Sequence, residues 1–244
     1  MQRKWILVTG GSRGIGHATV LRLAKEYNVI FTWNQGESAA REVEQACATL
    51  PGKVESYQCD GSDEQAVARV ATDLLTRYGA PHGVVHNAGI TLDELHIHQN
   101  PDNWRKVMDT NLNAVFYFNQ HLLKPMLIEG GGSIVMMSSV TGVKGNSGQS
   151  AYAASKAAMI GLARTLSVEL GRFNVRVNCL LPGYIDTDIL ANIPKEKLTA
   201  LHKTIPMKRF GTVNEVAGAV AWLVSDDSTY MTGQTLILDG GLSA

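Results

Sequence analysis

Trp5-Ile6-Leu7-Val8-Thr9-Gly10-Gly11-Ser12-Arg13-Gly14-Ile15-Gly16 decides how the rest of the chain is read. Its first five residues form a short apolar run rich in strand formers. Directly after Gly16, Ala18, Val20, Leu21, Leu23 and Ala24 fall on one apolar stripe, with Arg22, Lys25 and Glu26 among the polar positions. Strand, glycine turn and helix in that order form the setting in which a glycine-rich loop holds phosphate. Glycine lets the backbone turn tightly and approach a pyrophosphate, and the helix start turns unpaired amides and a positive dipole end toward it.

The alternation continues outward. Strands are expected near 5–9, 28–33, 53–59, 82–86, 133–137, 175–180 and 235–239, and helices near 14–26, 37–49, 63–78, 101–127, 150–172 and 213–225. This pattern predicts an α/β fold of the doubly wound Rossmann type, a parallel sheet flanked by helices, as a single domain over 1–244. A polar, irregularly helical insertion with Pro194 and Pro206 is expected over 186–210, covering the substrate. In such sheets ligands bind beyond the carboxyl ends of the strands. The segments Gly10–Gly16, Asn87–Gly89, Ser139 and Pro182–Thr187 each follow a strand, so they should converge on one edge.

Bulk properties exclude several classes. Hydrophobic residues make up 45% and charged residues 18%, an ordinary globular balance, and the formal net charge is zero. Nothing in that balance points to nucleic acid or membrane as a partner. Cys47, Cys59 and Cys179 form no metal or disulfide pattern, so reduced thiols in a cytoplasmic protein are expected. No leader and no apolar run long enough to span a bilayer is visible.

Two local readings concern chemistry. Tyr152 and Lys156 lie four residues apart, one helical turn, on one face. A neighbouring cation favours the ionised phenol, so Lys156 is expected to lower the Tyr152 pKa and make it a proton donor and acceptor near neutral pH. The second strand ends at Asn34, with no carboxylate to repel a 2′-phosphate, and Arg13 stands in the glycine turn. NADP(H) is therefore the expected cofactor.

Glycines 10, 14 and 16 are spaced G-x-x-x-G-x-G, and with Tyr-x-x-x-Lys this resembles the short-chain dehydrogenase/reductase family. The likeness runs along nearly the whole chain. It takes in His86-Asn87-Ala88-Gly89, Asn111, Ser139, Pro182-Gly183-Tyr184-Ile185-Asp186-Thr187, Thr232-Gly233-Gln234 and Asp239-Gly240-Gly241. His86, where the family often has asparagine, is read as structural. The resemblance implies seven strands in the order 3-2-1-4-5-6-7. It implies a catalytic set of Asn111, Ser139, Tyr152 and Lys156, with Ser139 preferred over Ser138 by its spacing from the tyrosine. Tyr152 would give the proton, Lys156 would tune it and hold the nicotinamide ribose, Ser139 would hold the carbonyl oxygen, and Asn111 would hold a water beside the lysine. Cofactor contacts are implied for Gly10, Ser12, Arg13, Gly14, Ile15, Gly16, Asn34, Asp60, Gly61, Asn87, Ala88, Gly89, Tyr152, Lys156, Pro182, Gly183, Ile185 and Thr187, with Asp60 on the adenine.

Within the family the stretches Asn87–Thr91, Gly145–Gln149, Pro182–Asp188 and Ile205–Gly211 resemble bacterial reductases of 3-oxoacyl thioesters. That likeness implies reduction of a 3-oxoacyl group, carried on acyl carrier protein or CoA, in fatty-acid or polyketide-type biosynthesis. Lys124, Arg164 and Arg172 are the basic candidates for meeting an acidic carrier, while Glu129-Gly130-Gly131-Gly132 lacks basic residues. A dehydrogenase of a small alcohol, sugar or steroid, and an idle NADP-binding scaffold, are the alternatives. Family members are commonly tetramers, so a homotetramer is implied.

Overall fold

The computed structural model of the chain describes residues 3–187 and 195–244, with side chains in the last helical insert from 198 onward. Asp188 and Pro194 of the expected insertion lie outside the described residues. The chain alternates β1 (Trp5–Val8), α1 (Gly14–Leu23), β2 (Asn28–Trp33), α2 (Glu37–Cys47), β3 (Val54–Gln58), α3 (Glu64–Tyr78) and β4 (Gly83–His86). Next come α4 (Pro101–Met108), a π turn (Asp109–Asn113), α5 (Ala114–Ile128), β5 (Gly132–Met137) and a short α6 (Thr141–Lys144). The chain closes with α7 (Ser150–Leu170), β6 (Val175–Pro182), β7 (Ile185–Asp186), α8 (Lys195–Thr204), β8 (Gly211–Thr212), α9 (Val213–Val224) and β9 (Thr235–Leu238).

Seven strands pair in the order β3-β2-β1-β4-β5-β6-β9, all parallel, as the resemblance implied. Alternate residues of each strand point to opposite faces, and the two faces fill separately. Leu7, Ile30, Val84, Ile134, Met136 and Val177 pack under α3, α5 and α7. Val8, Val29, Phe31, Val85, Val135 and Leu180 pack under α1, α2 and α9. Burial on both faces explains why these strands read as continuous apolar runs.

One expectation needs correction. The helix over 101–127 is broken at Asp109–Asn113 by the π turn, which carries Asn111. Flanking the insertion, β7 and β8 pair as a small second sheet, Ile185 with Gly211 and Asp186 with Thr212. Between them stands α8.

Candidate active site

The glycine turn is shaped by steric demand. Gly10 and Gly14 have φ of +66° and +54°, the left-handed region that favours glycine. A Cβ on Gly16 would sit 2.0 Å from the Gly10 carbonyl oxygen, so α1 can start here only with no side chain at 16. A Cβ on Gly14 would meet nothing nearer than Thr187 Cγ2 at 3.8 Å, so the turn faces an open space walled by Thr187. The start of α1 has no side-chain cap and no acid in its first turn, so its amides remain available to an anion.

Asn87 fastens this turn to the end of β4. Its Nδ2 donates to the carbonyls of Thr9 (3.0 Å) and Gly10 (2.9 Å). The backbone amides of Asn87 and Ala88 both donate to Thr9 Oγ1 at 3.0 Å. Both amide protons of Asn87, a residue implied as a cofactor contact, thus go to building the turn. Thr9 is an organiser that the sequence reading passed over as the end of a strand.

On the other side of the turn, Asn34 stands close to the Asp60 carboxylate. Burial works against the Asp60 carboxylate, but hydrogen bonds from Ser62, with Asn34 nearby, outweigh it and hold it below the ordinary carboxylate range. Arg13 is exposed, at the N-cap of α1.

Ser139 follows β5, and Tyr152 and Lys156 share the face of α7 that turns toward it. Ser138 is excluded from the chemistry by its own bond: it is buried and donates to the Lys156 carbonyl at 2.7 Å. Ser139 is half-buried, accepts from the Thr141 amide at 3.1 Å, and stands close enough to the Tyr152 phenol to lower its pKa. Lys156 is buried, and its Nζ donates to the Met137 carbonyl at 2.6 Å. Burial pushes this lysine down to about 8.

The phenol departs from expectation. Burial raises the Tyr152 pKa, the nearby Ser139 lowers it, and the charge of Asp93 raises it further, with a net rise. The expected depression by Lys156 is not present in this geometry. The ammonium lies 5.5 Å from the ring centroid and faces a backbone carbonyl instead of the hydroxyl.

Asn111 is fully buried beside the lysine. Its Oδ1 accepts from the Ile90 amide at 2.8 Å, and its Nδ2 donates to the Ile90 carbonyl and to Ser155 Oγ, each at 3.0 Å. Both amide protons are therefore used, and only the second lone pair of Oδ1 is left for a water. Besides any water it holds there, the side chain braces Ile90 against α7. A Cβ on Gly89 would stand 3.3 Å from both Asn111 Oδ1 and Lys156 Nζ, so Gly89 keeps the approach to them clear.

Pro182, Gly183 and Ile185 close the edge. The Val140 amide donates to the Pro182 carbonyl at 3.1 Å, and Gly183 passes so close to Asp239 that a Cβ would lie 2.7 Å from its side chain. Ile185 is core. His86 is likewise structural: it is buried against Asn119 Oδ1 at 2.9 Å, and burial drives its pKa down to about 4. Two of the basic candidates, Arg172 and Lys124, are not at this edge. Arg172 lies twenty residues along from Tyr152, roughly 30 Å of helix, at the end where β6 begins. Lys124 lies in the half of α5 that leads to that same far edge.

Among the described residues no helix is long and apolar enough to cross a membrane, and no group of three His, Cys, Asp or Glu is placed to hold a metal ion. A doubly wound parallel sheet, a phosphate-sized glycine turn and a Ser–Tyr–Lys cluster at the same edge define a nucleotide-dependent oxidoreductase. A family model described as enoyl-(acyl carrier protein) reductase matches residues 10–243. The 3-oxoacyl-(acyl-carrier-protein) reductase FabG of Thermotoga maritima is 39% identical over 243 residues, covering 99% of this chain and 98% of the relative. Proteins of the same name from Chlamydia muridarum (38% over 241 residues; 98% of this chain, 97% of theirs) and Pseudomonas aeruginosa (36% over 242; 99% and 98%) are also similar. The chain belongs to the short-chain dehydrogenase/reductase family.

Proposed function

We propose that this chain reduces a 3-oxoacyl thioester to the 3-hydroxyacyl thioester, with NADPH as hydride donor. The observation that carries the reading is the cluster of Ser139, Tyr152 and Lys156 beside a glycine turn, in a chain similar end to end to proteins named for that reaction. The open face at Gly14, the uncapped start of α1 and the cleared approach at Gly89 fit a dinucleotide laid along the carboxyl edge. Gly10, Ser12, Gly14, Ile15 and Gly16 would cradle its pyrophosphate, and Asp60 and Gly61 would meet the adenine. Ala88, Gly89, Pro182, Gly183 and Thr187 would line its path, and Arg13 and Asn34 would receive a 2′-phosphate. Bound there, the cofactor supplies the hydride that reduces the C3 carbonyl carbon.

The protein supplies the proton. Ser139 accepts from the Thr141 amide, so its hydroxyl proton can turn from the Tyr152 phenol to the substrate oxygen as charge develops. Tyr152 gives its proton to that oxygen; a raised phenol pKa keeps the donor protonated at neutral pH. Lys156 uses one of its three donors on Met137 and has two for the nicotinamide ribose.

The test is NADPH oxidation with 3-oxoacyl groups on CoA and on carrier protein, with an enoyl thioester alongside. Tyr152→Phe should lower kcat by about 10²–10⁴-fold and leave NADPH affinity unchanged. Arg13→Ala should weaken NADPH binding by about tenfold or more and leave NADH untouched, from loss of a charge-assisted hydrogen bond. Turnover of the enoyl thioester alone would overturn the reading, and no turnover of any ketone would point to a binding scaffold. The chain is also proposed to act as a homotetramer, on the surfaces argued in the Discussion.

A further inference from the structure

The segment 91–98, after β4, is zipped to the residues that open α7. Gln149 Nε2 donates to both oxygens of Asp93, at 3.0 and 3.2 Å. Asn146 Nδ2 donates in turn to Gln149 Oε1 at 3.0 Å. The Glu94 amide donates to the Gly148 carbonyl at 2.8 Å, Glu94 forms an isolated parallel bridge with Gln149, and His96 Nδ1 meets Ser150 Oγ at 3.0 Å. Thr91 Oγ1 holds the same Asp93 from its own side. Gln149 stands three residues before Tyr152, and α7 has neither a side-chain cap nor an acid in its first turn. The negative charge that a helix start favours therefore comes from another segment.

We propose that Asp93, gripped by Gln149, is a positioning residue that fixes the first turn of α7 and with it the hydroxyl of Tyr152. The inference rests on the reading of Tyr152 as proton donor. The charged or titratable groups that face this phenol are Asp93 from the loop after β4 and Lys156 from α7, with the Ser139 hydroxyl after β5. The Asp93 charge opposes ionisation of the phenol, so removing it should bring the alkaline fall in activity to lower pH.

Four variants test this: Asp93→Asn, Gln149→Glu, the two combined, and Tyr152→Phe as reference. Each is measured for kcat and KM of thioester and NADPH across pH, with thermal unfolding alongside. Gln149→Glu sets two carboxylates face to face, and kcat should fall about tenfold with NADPH KM unchanged, the mark of lost alignment at the reacting atoms. The combined variant reverses donor and acceptor, the amide now at position 93 giving its proton to the carboxylate now at position 149. It should recover kcat to within about threefold of wild type. Asp93→Asn alone keeps one acceptor for Gln149 and should move the alkaline limb down by roughly half a pH unit. Full kcat in Gln149→Glu, or a combined variant no better than Gln149→Glu, overturns the proposal. If Tyr152→Phe is active, the reading of the site itself falls; if it is inactive while Gln149→Glu is normal, only this inference falls.

Discussion

At the scale of single residues, Lys156 shows function set against stability. Burial holds its pKa near 8 against 10.5 for the free side chain, so folding with the ammonium charged is unfavourable. At about 1.4 kcal/mol per tenfold change, that costs on the order of 3 kcal/mol below pH 8. Between pH 8 and 10.5 the unfolded chain binds the proton that the fold has released, so stability rises with pH across that window and the penalty is gone above it. Lys156→Met keeps the length and removes the charge, at the loss of one hydrogen bond to Met137. The variant should be inactive yet more stable at pH 7 by roughly 1–2 kcal/mol, read as a Tm several degrees higher. At pH 10 the advantage should shrink. An unchanged or lower Tm at pH 7 would mean that the buried ammonium is better compensated than its single acceptor implies.

At the scale of elements, the strands and helices were legible because each buried strand is a short apolar run between turn residues. The strand order came with the family resemblance. The π turn at Asp109–Asn113 was not legible, since no local signal distinguishes DTNLN from helix. The extra residue goes with a tertiary demand: Asn111 reaches Ile90, which lies before the helix in sequence. The same holds for the Asp93–Gln149 pair, two polar loop residues whose meeting depends on how β4 and α7 pack. Nor did the spacing of four between Tyr152 and Lys156 reveal which group the ammonium would face. The end of β4 yields a prediction of its own. His86 is buried neutral, with its pKa driven to about 4. From its ordinary 6.5 down to 4 the unfolded chain takes up a proton that the fold refuses, so stability falls as pH drops through that window. His86→Asn keeps a polar partner for Asn119 and has nothing to protonate. The drop in Tm from about pH 7 to about pH 4.5 should be smaller in the variant by several degrees; an equal drop in both would place the acid sensitivity elsewhere.

At the scale of the whole molecule, two of the surfaces that expose apolar side chains suit a contact between copies. One is the outer face of α5 and α7, where Phe116, Ile128 and Val168 are 53%, 74% and 83% exposed. The other lies along the free edge of the sheet, where Ile237 of β9 stands 44% exposed, with exposed Trp222 and Tyr230 on the neighbouring segments. An unpaired edge strand and a bare helix pair are each surfaces that chains cover. Zero net charge sets no long-range repulsion against a second copy. Two distinct patches, each meeting its own kind across a two-fold axis, generate a closed tetramer with dihedral symmetry. Val168→Glu should then break only the helix interface and leave dimers held by the β9 edge. Ile237→Glu should leave the other dimer, and the double variant monomers. Sedimentation velocity separates the three species, and Tm should become less dependent on protein concentration as interfaces are lost. Tetramers in both single variants would place the contacts on other surfaces, whereas a dimer in each with monomers in the double would assign one axis to each patch. The active edge ties this assembly to chemistry. Tyr152 opens α7 and Val168 lies near its far end, sixteen residues or about 24 Å along the same helix. A subunit contact at Val168 therefore anchors the helix that aims the phenol, and Val168→Glu should cost activity through kcat while leaving NADPH KM in place.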